Sequence, residues 1–435
     1  MTPPEIRAAA ARLLHAVVVL KKTSDQAMGD ERIDPLTREL FFGSMRRYFS
    51  LSSCVSRSLH QSVRAKDRDI WCLFIVGAYQ LNHTRIPDHA AINETVAACR
   101  TLGKPWATRW VNGVLRNLKP PERSFEHPEW MERQIVEDYG EDAAALLLAN
   151  NERAPMTLRV NRARIPAADY GALLEAAGIG YRTCKYPIVR PDGPGPEQPG
   201  ETLILHQPLP AERLPGFAEG LVAVQDAGAQ LAAPLLAAED LAPLPPGTRV
   251  LDACAAPGGK LFHFHERFPA AELSAVELSE ARLPQLRAEA QRLQHEGLRT
   301  LLGDATDDRW WDGRPFQRIL ADAPCSGSGT LRRHPDIKLL RQRGDLEAYT
   351  ALQRALLDNL WRMLEPGGTL LYCTCSIFAA ENDDVIMQFL AATADARPSP
   401  FVLTTGRATR CGWQLLPTDP DTDGFYYARL HKVPA

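Results

Sequence analysis

The C-terminal part of the chain, residues 241–435, alternates β-strand patterns with helical patterns, and this alternation constrains the fold more than any other feature. The strand patterns are short runs of mostly apolar residues, and several of the segments between them have apolar residues at helical spacing. Repeated βα units predict an α/β, Rossmann-like domain with a doubly wound parallel sheet. We expect strands at residues 249–251, 273–276, 299–302, 318–321 and 369–372, helices at 286–293 and 349–364, and a closing antiparallel strand at 424–430.

The chain has 435 residues, and because a domain usually has about 100–200 residues, further domains should precede this one. Residues 1–125 have apolar residues at helical spacing and lack the alternation typical of strands, which predicts an all-α domain. Residues 126–240 contain an alternating segment at 156–161 and a helical segment at 170–177, which predicts a small α+β connector. Residues 191–200, rich in proline and glycine, should form a surface loop.

Charge is unevenly distributed along the chain. The whole chain has a net charge of −3, yet residues 1–125 carry more Lys and Arg than Asp and Glu. A basic module joined to an acidic one is typical of proteins that hold a polyanion. A basic surface that is merely solvated would have the same composition, so charge alone leaves both interpretations open.

The sequence gives no sign of secretion or of a membrane span. We find no basic-then-apolar leader, and the longest apolar run, residues 70–81, is shorter than the about 20 residues that span a bilayer. Nine cysteines spread over the chain are typical of free thiols in a reducing compartment. The close pair Cys373 and Cys375 has no second pair nearby, so we expect no metal site. We expect a cytoplasmic monomer.

The segment after the first strand, residues 252–260, reads Asp-Ala-Cys-Ala-Ala-Pro-Gly-Gly-Lys and opens a helix. In open α/β sheets, ligands bind beyond the carboxyl ends of the strands, and N–H groups at a helix start bind carboxylate or phosphate. A P-loop is excluded, because Cys254 stands where glycine is needed and Leu261 where Ser or Thr is needed. The Gly-x-Gly-x-x-Gly fingerprint of dinucleotide sites is also absent. The loop therefore predicts another nucleotide-like ligand.

Two acidic residues follow the next two strands. Glu277 ends the second strand, where a carboxylate can accept hydrogen bonds from both hydroxyls of a ribose. Asp304 follows the third strand, where it can bind an adenine amino group. Each could be an ordinary surface acid, but their register with the loop after three consecutive strands favours a ligand site.

Two cysteines, Cys325 and Cys375, follow later strands of the same predicted sheet, and both have small residues beside them. A buried structural cysteine is usually inert, which describes the other cysteines of the chain better than these two. We expect both thiols to face the crevice that holds the ligand.

Methylation of a pyrimidine base at C5 is a reaction that needs such a thiol, because C5 of cytosine is a poor nucleophile. A thiolate that adds to C6 makes C5 able to attack the methyl group of a sulfonium. Local positive charge or N–H groups should stabilise the thiolate. Asp322 is placed to stabilise charge at N3 of the base, and Cys325 can assist the later elimination of the thiol.

At this point the chain resembles a known family, the bacterial ribosomal RNA cytosine-5 methyltransferases. The resemblance covers nearly the whole chain and implies a class I methyltransferase domain that uses S-adenosyl-L-methionine. It also implies RNA, of the 16S ribosomal type, as the partner. The motifs that carry the resemblance are residues 254–260, 322–326 and 374–376 for the methyltransferase, and residues 84–87, 89–96 and 111–116 for a NusB-like, RNA-binding N-terminal domain.

The resemblance implies roles for individual residues. Cys375 would be the nucleophile, and Cys325 would help to release the product. Asp322 would act in catalysis and also contact the cofactor. The residues implied to bind the cofactor are Cys254, Ala255, Ala256, Pro257, Gly258, Gly259, Lys260, Glu277, Asp304 and Asp322.

RNA contacts are expected just after the motif that contains Cys325. Arg332, Arg333 and Lys338 should meet phosphates, which position a nucleic acid without reading its sequence. The target base must leave its stack to reach a thiol in a crevice. Leu339 departs from the family pattern, because a tryptophan near the RNA is expected there. Glu277, where Asp is more usual, and Leu261, where a hydroxyl residue is expected, are the other departures.

Two other functions stay open at this stage. In a DNA cytosine-5 methyltransferase Cys325 would be the nucleophile, although the helical domain and the Thr374-Cys375 motif favour RNA. A non-catalytic RNA-binding scaffold would not need the complete set of motifs.

Overall fold

The computed structural model describes residues 1–29, 33–121, 126–184, 188–190, 193–194, 202–238, 244–295 and 297–434. The chain divides into two compact units. The helical unit comprises Met1–Arg153 and Leu331–Arg343. The sheet unit comprises Ala154–Thr330 and Gly344–Ala435.

Helices α1 to α9 and the later short helix α14 build the helical unit. Side chains from the inner faces of α1 to α7, among them Leu14, Phe41 and Phe74, form one buried core. The all-α prediction is confirmed for the described part of residues 1–125. The helices are α1 Pro3–Val18, α2 Ser24–Met28, α3 Pro35–Arg46, α4 Tyr48–Ser58, α5 Arg68–His83, α6 Asp88–Thr101, α7 Thr108–Arg116, α8 Glu129–Tyr139, α9 Ala143–Ala149 and α14 Ile337–Leu340.

A segment distant in sequence, Leu331–Arg343, belongs to this unit. Ser24 donates from its N–H and its hydroxyl to the Asp336 carboxylate, at 3.0 and 3.1 Å. Lys338 donates from Nζ to the carbonyl of Arg46 at 3.0 Å. The segment therefore completes the helical unit rather than forming a surface loop of the sheet unit.

By their contacts residues 126–153, which we predicted as the start of the connector, group with the helical unit, and the domain boundary at 125/126 stays a prediction. The Glu126 carboxylate accepts the N–H of Ser50 at 3.0 Å. Arg153 forms an ion pair with Glu39. These partners are far apart in the sequence, so local periodicity could not assign the segment to either unit.

A small antiparallel sheet with the strand order β2-β5-β1-β6 begins the sheet unit. Tyr170 and Leu174 of the helix α10 pack with Leu158 and Val160 of β1 in one core, so the predicted α+β character is confirmed for the described residues. The predicted loop at 191–200, apart from the short strand at 193–194, and the predicted boundary at 240/241 lie outside those residues. The elements are β1 Thr157–Val160, α10 Ala167–Ala176, β2 Tyr181–Cys184, β3 Ile188–Arg190, β4 Gly193–Pro194, β5 Thr202–Leu205, β6 Val222–Val224 and α11 Ala232–Ala237.

The large sheet has the order β14-β15-β16-β11-β10-β7-β8-β9, with β12 paired to β16. Strands β7 to β11 pair in parallel and β16 pairs antiparallel to β11, as predicted. The strand order reverses between β7 and β10, which is where open sheets bind ligands. The elements are β7 Arg249–Asp252, α12 Gly259–Arg267, β8 Glu272–Glu277, α13 Leu283–Arg292, β9 Arg299–Leu302, β10 Phe316–Asp322, α15 Arg343–Met363, β11 Leu364–Thr374, α16 Asp383–Ala392, β12 Ala396–Pro398, β13 Val402–Leu403, β14 Arg407–Ala408, β15 Trp413–Leu415 and β16 Phe425–Lys432.

Candidate active site

Polar side chains gather at the carboxyl edge of the large sheet. Asp252 ends β7 and Asp322 ends β10, so they flank the point where the strand order reverses. Glu277 ends β8, and Cys375 directly follows β11. Parallel strands place their carboxyl ends at one edge, which is why residues far apart in the sequence lie side by side here.

The loop between β7 and α12 has a backbone shape that requires glycine. Gly258 has a φ of +103°, and a Cβ atom there would lie 2.1 Å from the ring of Phe262. The N–H of Ala255 donates to the carbonyl of Val276 in β8 at 3.0 Å. Because α12 begins at Gly259, the first N–H groups of the helix are free of intrahelical partners at this end.

Glu277 is buried and connects β8 to this loop. Its Oε2 accepts the N–H of Ala256 at 3.2 Å, and its Oε1 accepts the N–H of Ser279 at 3.0 Å. Arg282 approaches Oε2 at 3.4 Å and also donates to the carbonyl of Ala256. The structure therefore brings Glu277 and the predicted loop together, and it adds Arg282, which no sequence pattern indicated.

Asp304 follows β9 and is half-buried. Its Oδ1 accepts the N–H and the hydroxyl of Thr306 at 2.9 and 2.7 Å, and Trp310 donates to its carbonyl at 2.7 Å. These contacts fix the carboxylate, while its contact with an adenine stays a prediction.

The residues of this edge fit S-adenosylmethionine. The helix start can bind the carboxylate of the cofactor, and Glu277 has the chemistry to accept hydrogen bonds from ribose hydroxyls. Burial, with further contributions from the neighbouring Asp322 and Glu277, raises the pKa of Asp252 to about 7. Such a concentration of carboxylates suits a ligand with a sulfonium cation.

Lys260, predicted as a cofactor contact, binds Asp322. Its Nζ donates to Asp322 Oδ2 at 2.6 Å, and Asp322 Oδ1 accepts from the thiol of Cys373 at 3.3 Å. Although burial opposes the charge, the Asp322 carboxylate raises the pKa of Lys260 well above its usual range. Asp322 is therefore paired with the Lys260 ammonium.

The thiols of Cys325 and Cys375 are in contact, with 3.4 Å between the sulfur atoms, and both residues are half-buried. The hydrogen bond from Cys325 lowers the pKa of Cys375, and the Lys260 ammonium acts in the same direction. The same hydrogen bond, with burial, raises the pKa of Cys325. Cys375 is thus the better thiolate of the two, and once Cys375 is ionised the Cys325 thiol is the partner that can donate the hydrogen bond.

Sequence analysis missed Glu381, which is fully buried beside the cysteine loops. Its carboxylate accepts the N–H and hydroxyl of Ser326 at 2.7 and 2.6 Å, and the hydroxyl of Ser376 at 2.5 Å. These two serines directly follow Cys325 and Cys375. Glu381 ends a short 3-10 turn, where no periodic pattern reveals a buried position, so the sequence held no signal for it.

Arg159 of β1 was also missed, although an arginine inside a strand was the available signal. It is fully buried and donates to both carboxylate oxygens of Glu266, at 2.9 and 2.6 Å. It also donates at 2.6 Å to Gln225 Oε1 and to the carbonyl of Gly259. Through these contacts the small sheet supports the start of α12.

The basic residues predicted to meet RNA lie in Leu331–Arg343, within the helical unit. Lys338 is 1% exposed and Arg332 is 6% exposed, which contradicts their predicted phosphate contacts. Burial lowers the pKa of Lys338 to about 7. Leu339, expected near the RNA, packs against the helical core instead. Arg333 is half-buried, and its RNA contact stays a prediction.

The described residues offer neither a cluster of metal ligands nor a membrane-spanning helix. We find no group of three or more His, Cys, Asp or Glu side chains arranged to hold a metal ion in that part of the chain. In the same ranges, no helix combines the length and the apolar character needed to cross a membrane.

Comparison with known proteins assigns family models to three parts of the chain. Residues 239–431 match the family described as 16S rRNA methyltransferase RsmB/F. Residues 4–120 match the NusB family. Residues 127–188 match the ferredoxin-like domain of RsmF/B-like methyltransferases.

Full-length relatives and solved structures are similar to the chain over most of its length. It is 42% identical to ribosomal RNA small subunit methyltransferase B of Pseudomonas putida, over 99% of both chains. It is 40% identical to the protein of the same name from Vibrio cholerae, over 98% of this chain and 97% of that one. The crystal structure of PH0851 has a TM-score of 0.81 at 22% identity over 99% of both chains, which shows a shared fold. A methyltransferase homolog from Pyrococcus horikoshii, 26% identical, has a TM-score of 0.57 over 69% of this chain and 94% of that one.

Proposed function

This chain belongs to the 16S rRNA methyltransferase RsmB/F family, and from that premise we propose that it methylates C5 of a cytosine in 16S ribosomal RNA through a covalent bond between Cys375 and the base. The enzyme is an RNA methyltransferase, and its methyl donor is S-adenosylmethionine. The observation that carries the proposed nucleophile is the contact of the Cys375 and Cys325 thiols at 3.4 Å, next to the Lys260–Asp322 pair.

The first step is the attack of the Cys375 thiolate on C6 of the cytosine. As the S–C6 bond forms, the electron pair of the C5=C6 bond shifts toward C4 and N3. Lys260 carries the proton of its pair with Asp322 and stabilises the charge that develops on the base. The Asp322 carboxylate orients that ammonium and can accept a hydrogen bond from the 4-amino group.

S-adenosylmethionine, when bound, supplies an electrophilic methyl group. C5 of the activated base forms the new carbon–carbon bond as the bond between that methyl group and sulfur breaks. The loop at residues 254–260 would hold the carboxylate of the cofactor, Glu277 would hold its ribose and Asp304 its adenine. Because the thiols are half-buried, the target base leaves its stack to reach them.

The last step releases the product. The C5 proton leaves to a base, its bonding electrons restore the C5=C6 bond, and the bond from C6 to Cys375 breaks. Cys325 touches the departing sulfur and can donate its hydrogen bond to it. The thiol with the raised pKa therefore suits release, and the thiol with the lowered pKa suits attack.

The two other functions that were open from the sequence have no support from the relatives. The relatives are methyltransferases of ribosomal RNA, which gives no support to a DNA methyltransferase or to a non-catalytic scaffold. Ribosomal RNA as substrate favours a cytoplasmic location. Residues 1–125, similar to the NusB family over most of their length, are proposed to contribute RNA affinity. A monomeric state stays a prediction.

Two alanine variants test the assignment of the cysteines. Cys375→Ala should neither methylate RNA nor form an adduct, because no bond to C6 can form. Cys325→Ala should methylate slowly and accumulate a covalent protein–RNA complex, because release is impaired. The measurement is a denaturing gel after incubation with 16S ribosomal RNA and the methyl donor, combined with transfer of a tritiated methyl group.

The matched control is Cys411→Ala, which changes another half-buried cysteine and should behave like the unchanged enzyme. An adduct with Cys375→Ala and none with Cys325→Ala would make Cys325 the nucleophile. Methyl transfer to DNA in preference to RNA would refute the proposed substrate class.

A further inference from the structure

One buried carboxylate is bonded to the residue after each of the two active-site cysteines. Glu381 accepts two hydrogen bonds from Ser326, next to Cys325, and one from Ser376, next to Cys375. Both hydroxyls converge on the same oxygen atom, Oε2. The carboxylate is thus common to both cysteine loops.

Burial of the Glu381 carboxylate costs free energy, so its place in the fold calls for a functional reason. A carboxylate loses much solvation energy on burial, and paired cations usually compensate for that loss. In the described part of the chain, the side-chain partners of Glu381 are Ser326, Ser376 and Gln353, all of them neutral. A buried charge held only by neutral donors is typical of a functional site rather than of a core optimised for stability.

The contacts around Glu381 define the path of both loops. Its Oε1 accepts the N–H of Ser326, which fixes the backbone immediately after Cys325. Gln353 donates to the carbonyl of Pro324 at 2.9 Å and to Glu381 Oε1 at 3.4 Å, so the same group also holds the backbone before Cys325. On the other loop, only the hydroxyl of Ser376 reaches the carboxylate.

We propose that Glu381 is a positioning residue whose carboxylate holds the thiols of Cys325 and Cys375 in contact, so that Cys325 can act on the sulfur as it leaves the base. The catalytic role of this thiol contact rests on the proposed function. The contact between the two thiols does not depend on the proposed function. Glu381 touches neither thiol, so it acts through the serines that follow them.

Glu381→Gln provides the test, because an amide keeps the shape but offers one acceptor oxygen and places N–H groups against the donors. The probe for the thiol contact is phenylarsine oxide, which forms two As–S bonds to two close thiols and releases water. The unchanged enzyme should capture one equivalent that depends on both cysteines, and Glu381→Gln should lose this capture while each thiol still reacts with iodoacetamide. We also expect kcat to fall about 10- to 100-fold with little change in KM for RNA, as when charge-assisted hydrogen bonds are removed. The covalent RNA adduct should accumulate.

The control variant is Glu365→Gln, whose carboxylate accepts a hydrogen bond from Gln317 at 2.9 Å near the start of β11. It should capture the arsenical and turn over normally. Arsenical capture by Glu381→Gln at the level of the unchanged enzyme would overturn the inference. Absence of RNA methylation by the unchanged enzyme would instead refute the proposed function.

A second variant covers the case in which Glu381→Gln does not fold, as judged by lost cofactor binding. The double variant Ser326→Ala and Ser376→Ala removes both hydroxyl donors and leaves the carboxylate with the N–H of Ser326 and the side chain of Gln353. Arsenical capture and kcat should fall in this variant as well. Retention of both would overturn the inference.

Discussion

At the scale of single residues, the Lys260–Asp322 pair changes the chemistry that the sequence suggested. The sequence placed Asp322 beside the base, where it was expected to stabilise charge at N3. The structure puts a lysine 62 positions earlier in the chain at 2.6 Å from this aspartate, and this carboxylate raises the pKa of the lysine against the effect of burial. Sequence motifs identified both residues, but only the fold brings them together, because they end or follow different strands.

This pairing predicts a pH effect. The Lys260 ammonium lowers the pKa of Cys375, so in Lys260→Met that pKa should rise and less thiolate should form at a given pH. The rising limb of kcat/KM against pH should therefore move to higher pH, as expected for loss of a nearby opposite charge. The profile should be measured from about pH 6 to 9.

Lys260→Arg is the matched control, because it keeps the charge and changes the hydrogen-bond geometry. Its rising limb should stay near that of the unchanged enzyme, while its maximal rate falls. If the limb of Lys260→Met did not move, the thiolate would not depend on this cation.

At the scale of elements, the strands of the large sheet were predictable because their apolar patterns are local. The predicted strand at residues 299–302 coincides with β9, and the one at 318–321 lies within β10 Phe316–Asp322. The loop with Gly258 was also evident from its composition. The contacts that position this loop and the two cysteine loops were not evident, because Arg159, which supports the first, belongs to another sheet and Glu381, which holds the other two, belongs to a short turn. Buried polar contacts between distant elements leave no periodic trace in a sequence.

Alanine substitutions at two glycines test the loop geometry, because they should change the free energy of unfolding in opposite directions. Gly258→Ala should lower the free energy of unfolding by about 1–3 kcal/mol, because φ is +103° and the new Cβ would meet Phe262. Binding of S-adenosylmethionine, measured by titration calorimetry, should weaken as well.

Gly113→Ala lies on the exposed side of α7, where a Cβ would have no neighbour within 4 Å. It should raise the free energy of unfolding by about 0.4–1 kcal/mol, because alanine restricts the unfolded chain. A free energy of unfolding that rises in Gly258→Ala as well would mean that the loop tolerates a side chain.

At the scale of the whole molecule, Leu331–Arg343 makes the helical unit depend on a segment that lies late in the sequence. From the sequence, Arg332 and Lys338, which follow the Cys325 motif, were expected to meet RNA phosphates. The structure instead buries both side chains in the helical unit. The error arose because a Lys or Arg next to a catalytic motif has no local feature that marks it as buried.

Deletion of residues 1–125 should therefore expose this segment. Without Ser24 and the carbonyl of Arg46, the segment loses partners of Asp336 and Lys338. Trypsin should cleave within Leu331–Arg343 in the truncated chain at least about tenfold faster than in the full chain, because cleavage follows the population of the open form. Mass spectrometry of the fragments identifies the site. Equal resistance in both chains would show that the segment holds its structure unaided.

The same segment has a consequence for the order of folding during synthesis. The last residue of the first part of the helical unit is Arg153, yet the unit lacks its remaining part until residue 331 and those after it have been made. At about 5–20 residues per second, the ribosome needs roughly 9–36 s to cover that interval. During this time the carbonyl of Arg46 and the donors of Ser24 have no Lys338 or Asp336 to bind. The nascent helices therefore stay incomplete while residues 154–330 of the sheet unit are made, so the N-terminal unit of this protein cannot finish folding before much of the sheet unit has emerged.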